Sequence, residues 1–562
     1  MNSILKRCRL SASLAILLAF ACSFSPFSAR QWKLSPGDIS ETPSDEDWFF
    51  RGESLFMSRT TVPGGEVYGH TASQTDVVRI VIDGALENTY GNDTILQETG
   101  DCLFLADCAT HGIRAPGDST VYMDIHFTGG NCNGTSSLSH GEVINRNRLQ
   151  FCQPERGIDA RIIETRAGQI AFVRMERDTL FPERSSGVEQ LLYITRGKMT
   201  VTVDGAKSRM TEGDILALGK DSRVSFDTGP RGCDVIAAFA PGRRDYSKAL
   251  TDRMTVFHTI IAPGTEPTLL VDGENSEPGL TFTEGPSWMN GRLYFSNYYK
   301  FWKPFGSSDE GGIWVVEEDG SYRVLNKNVQ TCGTTPLPNG TLGVCDLFGC
   351  SVVEMDPETG EMGRTVVGSY GGIPFAVTND VITDRKGGLY VTDSSVAKEG
   401  PKQPGTALYY HNRKGETIRV TEPNDVEYIN GVMLTEDDKI LFLNGSGEIY
   451  VWAFDVNPDG TLSNKRPFAK LLAPDDQLGK ENPRSVADGM TIDREGNIYV
   501  ATPLGIQVFD RTGSFAGIIH FGKGPSHCTF GGSDLKTLYV TARTHVYSIR
   551  TLKTGFQYPI GH

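Results

Sequence analysis

A chain of 562 residues is too long for one ordinary hydrophobic core, so two or three domains are expected. Charged residues make up 22% of it and glycine is abundant, the balance of a soluble globular protein rich in turns. The formal net charge of −15, with no basic cluster, argues against nucleic acid or an anionic membrane as partner.

In chain order, residues 1–30 read as a signal peptide. Lys6, Arg7 and Arg9 precede an apolar run from Leu14 to Cys22, and Ala19 and Ala21 put small residues where a signal peptidase reads. The run is short and Ser and Pro follow it at once, so no stable membrane span is expected. The protein is expected to be secreted or periplasmic. Cys22, directly after Ala21, fits a bacterial lipidation box only in part, because Ala19 and Phe20 depart from it. Residues 31–50 are polar, contain proline and read as a linker. The cysteines form no C-x-x-C pair, which excludes a zinc ribbon and a thioredoxin-like motif. Cys132 with Cys152, or Cys345 with Cys350, would close loops in an oxidising compartment; buried free thiols are the other reading. Asn92, Asn133, Asn339 and Asn444 open glycosylation sequons.

From 51 to 245 one order of signals occurs twice, over 51–150 and 151–245. Val78 to Gly84 leads to Thr99-Gly100-Asp101, a strand, and His111; Leu191 to Gly197 leads to Glu212-Gly213-Asp214 and a strand ending at Gly219. Strand, Gly, strand, Gly-Asp, strand resembles the cupin family, which implies a bicupin of two jelly-roll barrels. A cupin metal site needs two His two residues apart, a Glu shortly after, and a third His beyond the Gly-Asp strand. No two His here are so spaced, and the second copy has Gln190 at the Glu place and Ser222 at the third His place. The first copy keeps only His111 there, with His70 near the first place. No metal is expected in this half. A ligand pocket or a dimerising surface is expected instead.

The second half, 266–562, repeats one short pattern six times. Its copies open at Glu284, Cys332, Asn379, Asn430, Asp488 and His527, roughly 40 to 60 residues apart. After each opener comes a turn signal and then an apolar strand core, from Leu293-Tyr294-Phe295 to Leu538-Tyr539-Val540. That period, with no long helical stretch, marks a six-bladed β-propeller, so the fold class is all-β throughout. Leu269-Leu270-Val271 is placed to supply the outer strand that closes the ring. If each opener begins an innermost strand, all six side chains meet in one channel. Glu, Asn, Asn and Asp among them are the oxygen donors that suit a hard divalent cation.

Thr283-Glu284-Gly285-Pro286-Ser287-Trp288, Thr378-Asn379-Asp380-Val381, Ile429-Asn430-Gly431-Val432 and Ala487-Asp488-Gly489-Met490 stand in order, one per blade. With Phe530-Gly531-Gly532-Ser533-Asp534 they resemble the senescence marker protein, gluconolactonase and luciferin-regenerating enzyme family. The resemblance implies that Glu284, Asn430 and Asp488 are metal ligands and that Asn379 completes the site or contacts substrate oxygen. It implies calcium first, with zinc or manganese as alternatives, and hydrolysis of a small-molecule lactone. An arginine that grips acidic substrates in some members is replaced here by Val377.

The chemistry of the donors agrees: two carboxylates neutralise a divalent ion, and two amides fill half a coordination sphere. Asp488 and His527 are the candidates for general base. Asp380 is expected to orient Asn379 or a neighbouring amide, and Cys332 to line the channel beside substrate. The expected function is a secreted, metal-dependent lactone hydrolase. Two alternatives stand beside it: a cyclase or condensing enzyme of natural-product synthesis, and a carbohydrate-binding protein built on the cupin half.

Overall fold

The computed structural model describes residues 54–558 apart from 71–74, 91–92, 106–110, 128–138, 140, 186, 277–278, 299–310, 318, 395–401 and 478–479, and adds the backbone of Arg30–Trp32 and Trp48–Arg51. The expected signal peptide, most of 31–50, Cys132, Asn92 and Asn133 lie outside the described residues. The chain divides into two compact units, Met1–Arg253 and Met254–His562. Among the described residues the architecture is of strands, with one α-helix, Arg244–Phe257, whose sequence includes the division after Arg253.

In the first unit the described strands form three antiparallel sheets. Six strands from Trp48–Arg51 to Val143–Asn145 make one, and Val67–His70, His111–Arg114, Ala85–Tyr90 and Asp93–Glu98 make another. The third has nine strands, eight from the second repeat and Arg30–Trp32 at its edge, paired with Ile215–Leu218. Both ends of the 31–50 stretch are therefore strand. The run Leu191-Leu192-Tyr193-Ile194 is apolar without alternation because its sheet is covered on both faces: Leu191 and Tyr193 enter one core, Leu192 and Ile194 another. In the first repeat a charge is buried. Arg79 donates to both Asp124 oxygens at 2.8 and 2.6 Å and to Asn88 Oδ1 at 2.9 Å, while Asn88 donates to Gln97 Oε1 at 2.9 Å. Every member has a partner, which offsets the desolvation cost of a buried guanidinium.

The second unit contains, among the described residues, six four-stranded antiparallel sheets. Their first strands are Thr283–Met289, Thr331–Pro336, Thr378–Thr383, Ile429–Leu434, Met490–Ile492 and His527–Gly531. Each lies beside the next, and the sixth lies beside the first, so the ring is closed. The expected apolar cores are the second strands, whose Tyr294, Tyr390 and Tyr499 are fully buried between neighbouring sheets. Thr268–Asp272 pairs with His545–Arg550 as the outermost strand of the sixth sheet, so one sheet joins both ends of the unit. That junction hides an edge that would otherwise be open to pairing.

Two local features bring the first strands together. Ser or Thr hydroxyls just before the openers bond backbone across the junctions: Ser526 Oγ donates to Thr283 O at 2.5 Å, and Thr283 Oγ1 donates to His545 O at 2.8 Å. Glycine just after an opener permits the close approach. A Cβ on Gly285 would sit 1.9 Å from the Cys332 carbonyl oxygen, and one on Gly489 would sit 1.9 Å from the His527 ring.

Candidate active site at the ring axis

Five of the six openers lie at the start of first strands, and Asp488 lies two residues ahead of Met490–Ile492. Glu284 is buried, and its Oε2 accepts the Gly285 amide at 3.0 Å. Burial and the neighbouring Asp488 carboxylate raise the Glu284 carboxyl well above the usual range, against the opposing pull of His527. Asp488, half-buried, is pushed up to about 6 by burial, with His527, Arg543 and hydrogen bonds from Asn430 and Glu284 pulling it back. The first and fifth sheets thus place two carboxyl groups within hydrogen-bonding reach of each other.

Asn430 donates through Nδ2 to Ser446 Oγ at 3.1 Å, and Ser446 Oγ in turn donates to Ala487 O at 2.6 Å. Asn379 is half-buried beside Asp380. Asp380 is buried and binds three sheets together. Its Oδ1 accepts the Val381 amide at 2.9 Å, its Oδ2 accepts the Val432 amide at 3.0 Å, and His527 Nε2 lies 3.4 Å from Oδ1. Because the third and sixth sheets are opposite in the ring, the Asp380–His527 contact spans the axis. The other imidazole nitrogen, Nδ1, faces Cys528, accepting its amide at 2.8 Å or donating to its carbonyl at 3.1 Å. Burial would lower the His527 pKa, yet Asp380, Glu284 and Asp488 outweigh it and raise the group to about 9. Cys332 is buried, and its thiol is held well above the usual value by burial and then by Glu284 and Asp488. It is a neutral thiol there, unsuited to binding a cation as thiolate.

Several neighbours carry no sign in the sequence period. Asn444 is fully buried; it donates to Asp488 O at 2.9 Å and accepts the Gly431 amide at 3.2 Å, which fixes the backbone of the fourth and fifth sheets at the axis. Its burial also closes its sequon to glycosylation. The interruption of the apolar run Ile440 to Leu443 by Asn444-Gly445-Ser446 is the signal that would have found it. Tyr298, held above its usual pKa by burial and then by Cys332 and Glu284, lies edge-on to Phe282 with centroids 5.9 Å apart. Tyr428 and Val486, each two residues before an opener, are exposed and take φ of 51° and 54°, a region that bulky and β-branched residues rarely adopt.

A hard cation fits this donor set. Two adjacent carboxyls in a low-dielectric site need a proton or a cation to sit together, and the amides beside them are neutral oxygen donors. Among the described residues no group of three or more His, Cys, Asp and Glu side chains forms a metal cage, so the amides of Asn379 and Asn430 are needed to complete one. In the first unit Gln190 and Ser222 are both buried, and Gln190 with Leu192, Phe239, Arg243 and Tyr246 lines a cavity of about 40 Å³. His70 and His111 are register partners on adjacent strands. Cys345 and Cys350 are both free buried thiols, so the proposed loop closure between them is not made.

Residues 282–544 match the family described as SMP-30/Gluconolactonase/LRE-like region. A gluconolactonase from Zymomonas mobilis is 25% identical over 305 residues, covering 49% of this chain and 80% of that protein. A putative sugar lactone lactonase from Bacillus subtilis is 28% identical, covering 30% of this chain and 54% of its own length. The lactonase drp35 of Staphylococcus haemolyticus is 31% identical, over 22% of this chain and 34% of its length. Among solved structures, a gluconolactonase from Xanthomonas campestris is 22% identical with a TM-score of 0.44, covering 52% of this chain and 92% of that one. A cupin barrel protein from Leptotrichia buccalis is 10% identical with a TM-score of 0.28, covering 35% of this chain and 89% of that one. The segment that holds all six openers is thus the part of the chain that resembles the SMP-30/Gluconolactonase/LRE-like region.

Proposed function

We propose that this chain is a divalent-metal-dependent hydrolase of lactones, sugar lactones among them, working at the axis of a six-bladed β-propeller. The observation that carries the reading is the Glu284–Asp488 carboxyl pair, brought together from separate sheets and flanked by the Asn430 amide. The names of the relatives, gluconolactonase and lactonase, support it. Glu284, Asn379, Asn430 and Asp488 would hold the ion, and an all-oxygen set favours calcium over zinc or manganese. Bound there, such an ion supplies a Lewis acid for the lactone carbonyl.

The remaining work falls to the chain itself. Asp488, holding the ion through one oxygen, would keep the other to accept a proton from the attacking water. Water oxygen bonds the carbonyl carbon, the ring C–O bond breaks, and the proton returns to the leaving oxygen, giving a hydroxy acid. Both His527 nitrogens face partners, so His527 serves to hold Asp380 rather than to take that proton. Asp380 in turn fixes the strand carrying Asn379, whose amide would contact a substrate oxygen. Cys332 gives the channel wall a neutral, weakly polar surface.

We read 51–245 as a cupin-like pair without metal, a surface suited to dimerisation, and 1–30 as the signal for export to a secreted or periplasmic location. The hydrolase reading is tested by acid release from gluconolactone and dihydrocoumarin, with and without chelator. Chelator-sensitive, calcium-restored turnover is expected. Turnover indifferent to chelator, or none with any divalent ion, overturns it.

A further inference from the structure

Arg543, whose carbonyl accepts the amide of Thr283 next to Glu284, has no role in the chemistry above. It is exposed, and among the described residues it forms no ion pair. Its guanidinium carbon lies 4.6 Å from the centroid of the Phe282 ring, and its Nε is 3.9 Å from where a Cβ on Gly524 would be. The side chain therefore lies between the segments that lead into the first and sixth strands of the ring. Its backbone is held as well: the carbonyl accepts the Thr283 amide at 2.6 Å, one residue from Glu284, and φ is 54°. A non-glycine residue in that region carries strain that the surroundings must hold in place.

Other groups near the openers are placed differently. Arg484, which also stacks on an aromatic ring (Tyr428, 5.2 Å), is committed to Glu427 at 3.2 Å. Val377, two residues before Asn379, brings no charge. Stacking on Phe282 fixes the plane of the Arg543 guanidinium, and its N–H edges are the part suited to a planar anion.

We propose that Arg543 recognises a carboxylate on the substrate, so that the preferred substrate is a lactone bearing one carboxylate besides the ester that is cleaved. The proposal deepens the hydrolase reading and rests on it for the word substrate. A guanidinium matches a carboxylate with two parallel hydrogen bonds, while a neutral sugar or alkyl lactone offers it only single, weaker ones. The anionic group would be held on the Arg543 side, and the ring carbonyl would be left facing the carboxyl pair.

The test uses two unreactive probes on the calcium-loaded full chain: δ-valerolactam and the cyclic lactam of α-aminoadipate, which differ by one carboxylate. Calorimetry on the wild type is expected to show the carboxylate lactam binding at least about tenfold tighter. In Arg543→Ala the ratio of the two dissociation constants should fall below about two, and Arg543→Lys, which keeps charge without the fork, should lie between. A wild-type ratio near one, a ratio unchanged in Arg543→Ala, or no binding of either probe overturns the proposal. Gluconolactone turnover by the wild type is measured alongside. An Arg543-dependent ratio without turnover removes the hydrolase reading and keeps the anion site, and turnover without the ratio does the reverse.

Discussion

Carboxyl groups buried side by side repel, and at Glu284 and Asp488 each is held above the usual carboxylate range. A folded-state pKa raised above the unfolded value means the folded state binds protons more tightly, so stability falls as pH rises through that interval. For Asp488 the interval runs from 3.8 to about 6. Chelator-treated protein should therefore lose thermal stability across that window, and saturating calcium should restore it. Glu284→Gln should flatten the metal-free profile; melting curves across pH check both. His527 acts in the same sense at higher pH. Its contribution is fully present below 6.5 and lost as pH rises through about 9, and His527→Asn should remove that alkaline slope. At this scale the sequence showed the oxygen-donor openers, because period and residue type coincide there. Asn444 and Arg543 fall outside the repeat that singled out the openers: one is on a second strand, marked only by its break in the apolar run, and the other on the turn after the last sheet's second strand.

The first strands depend on close approach, so the glycines after openers tolerate no side chain. Gly489→Ala puts a methyl 1.9 Å from the His527 ring. It should cost roughly 1–3 kcal/mol of stability and displace the imidazole from Asp380, measured by denaturant unfolding and by loss of the alkaline slope. Ser526→Ala removes the hydroxyl bonded to Thr283 O and Thr541 O, and about 1–3 kcal/mol should go with it, because buried acceptors lose their donor. The second strands could be read from their apolar cores because those residues are buried on both faces. The first strands could be placed only through their openers; Asp488 itself falls just before its strand, where Asn444 bonds its carbonyl. The strands at both ends of 31–50 went unread because polar composition does not disclose their pairing, of Arg30 with the distant Ala217 and of Trp48 with Arg59 on the next strand.

At the scale of the chain, the sequence reading changes from one strand order repeated twice, ending at 245, to another repeated six times, starting at 266, and the two compact units divide after Arg253. Less legible was the nine-stranded sheet of the first unit, which draws Arg30–Trp32 to its edge and feeds a separate core from each face. Joining both ends of the second unit in one sheet should matter for solubility. Deleting 268–272 would expose the edge of His545–Arg550, and concentration-dependent aggregation on light scattering is expected. The central claim is that carboxylates from the first and fifth sheets share one ion, and calorimetric titration of calcium into chelator-stripped protein tests it most directly. One site per chain is predicted, lost in both Glu284→Gln and Asp488→Asn and kept in Asp534→Asn. Binding that survives the first two substitutions, or no binding of calcium, zinc or manganese to the wild type, would contradict it.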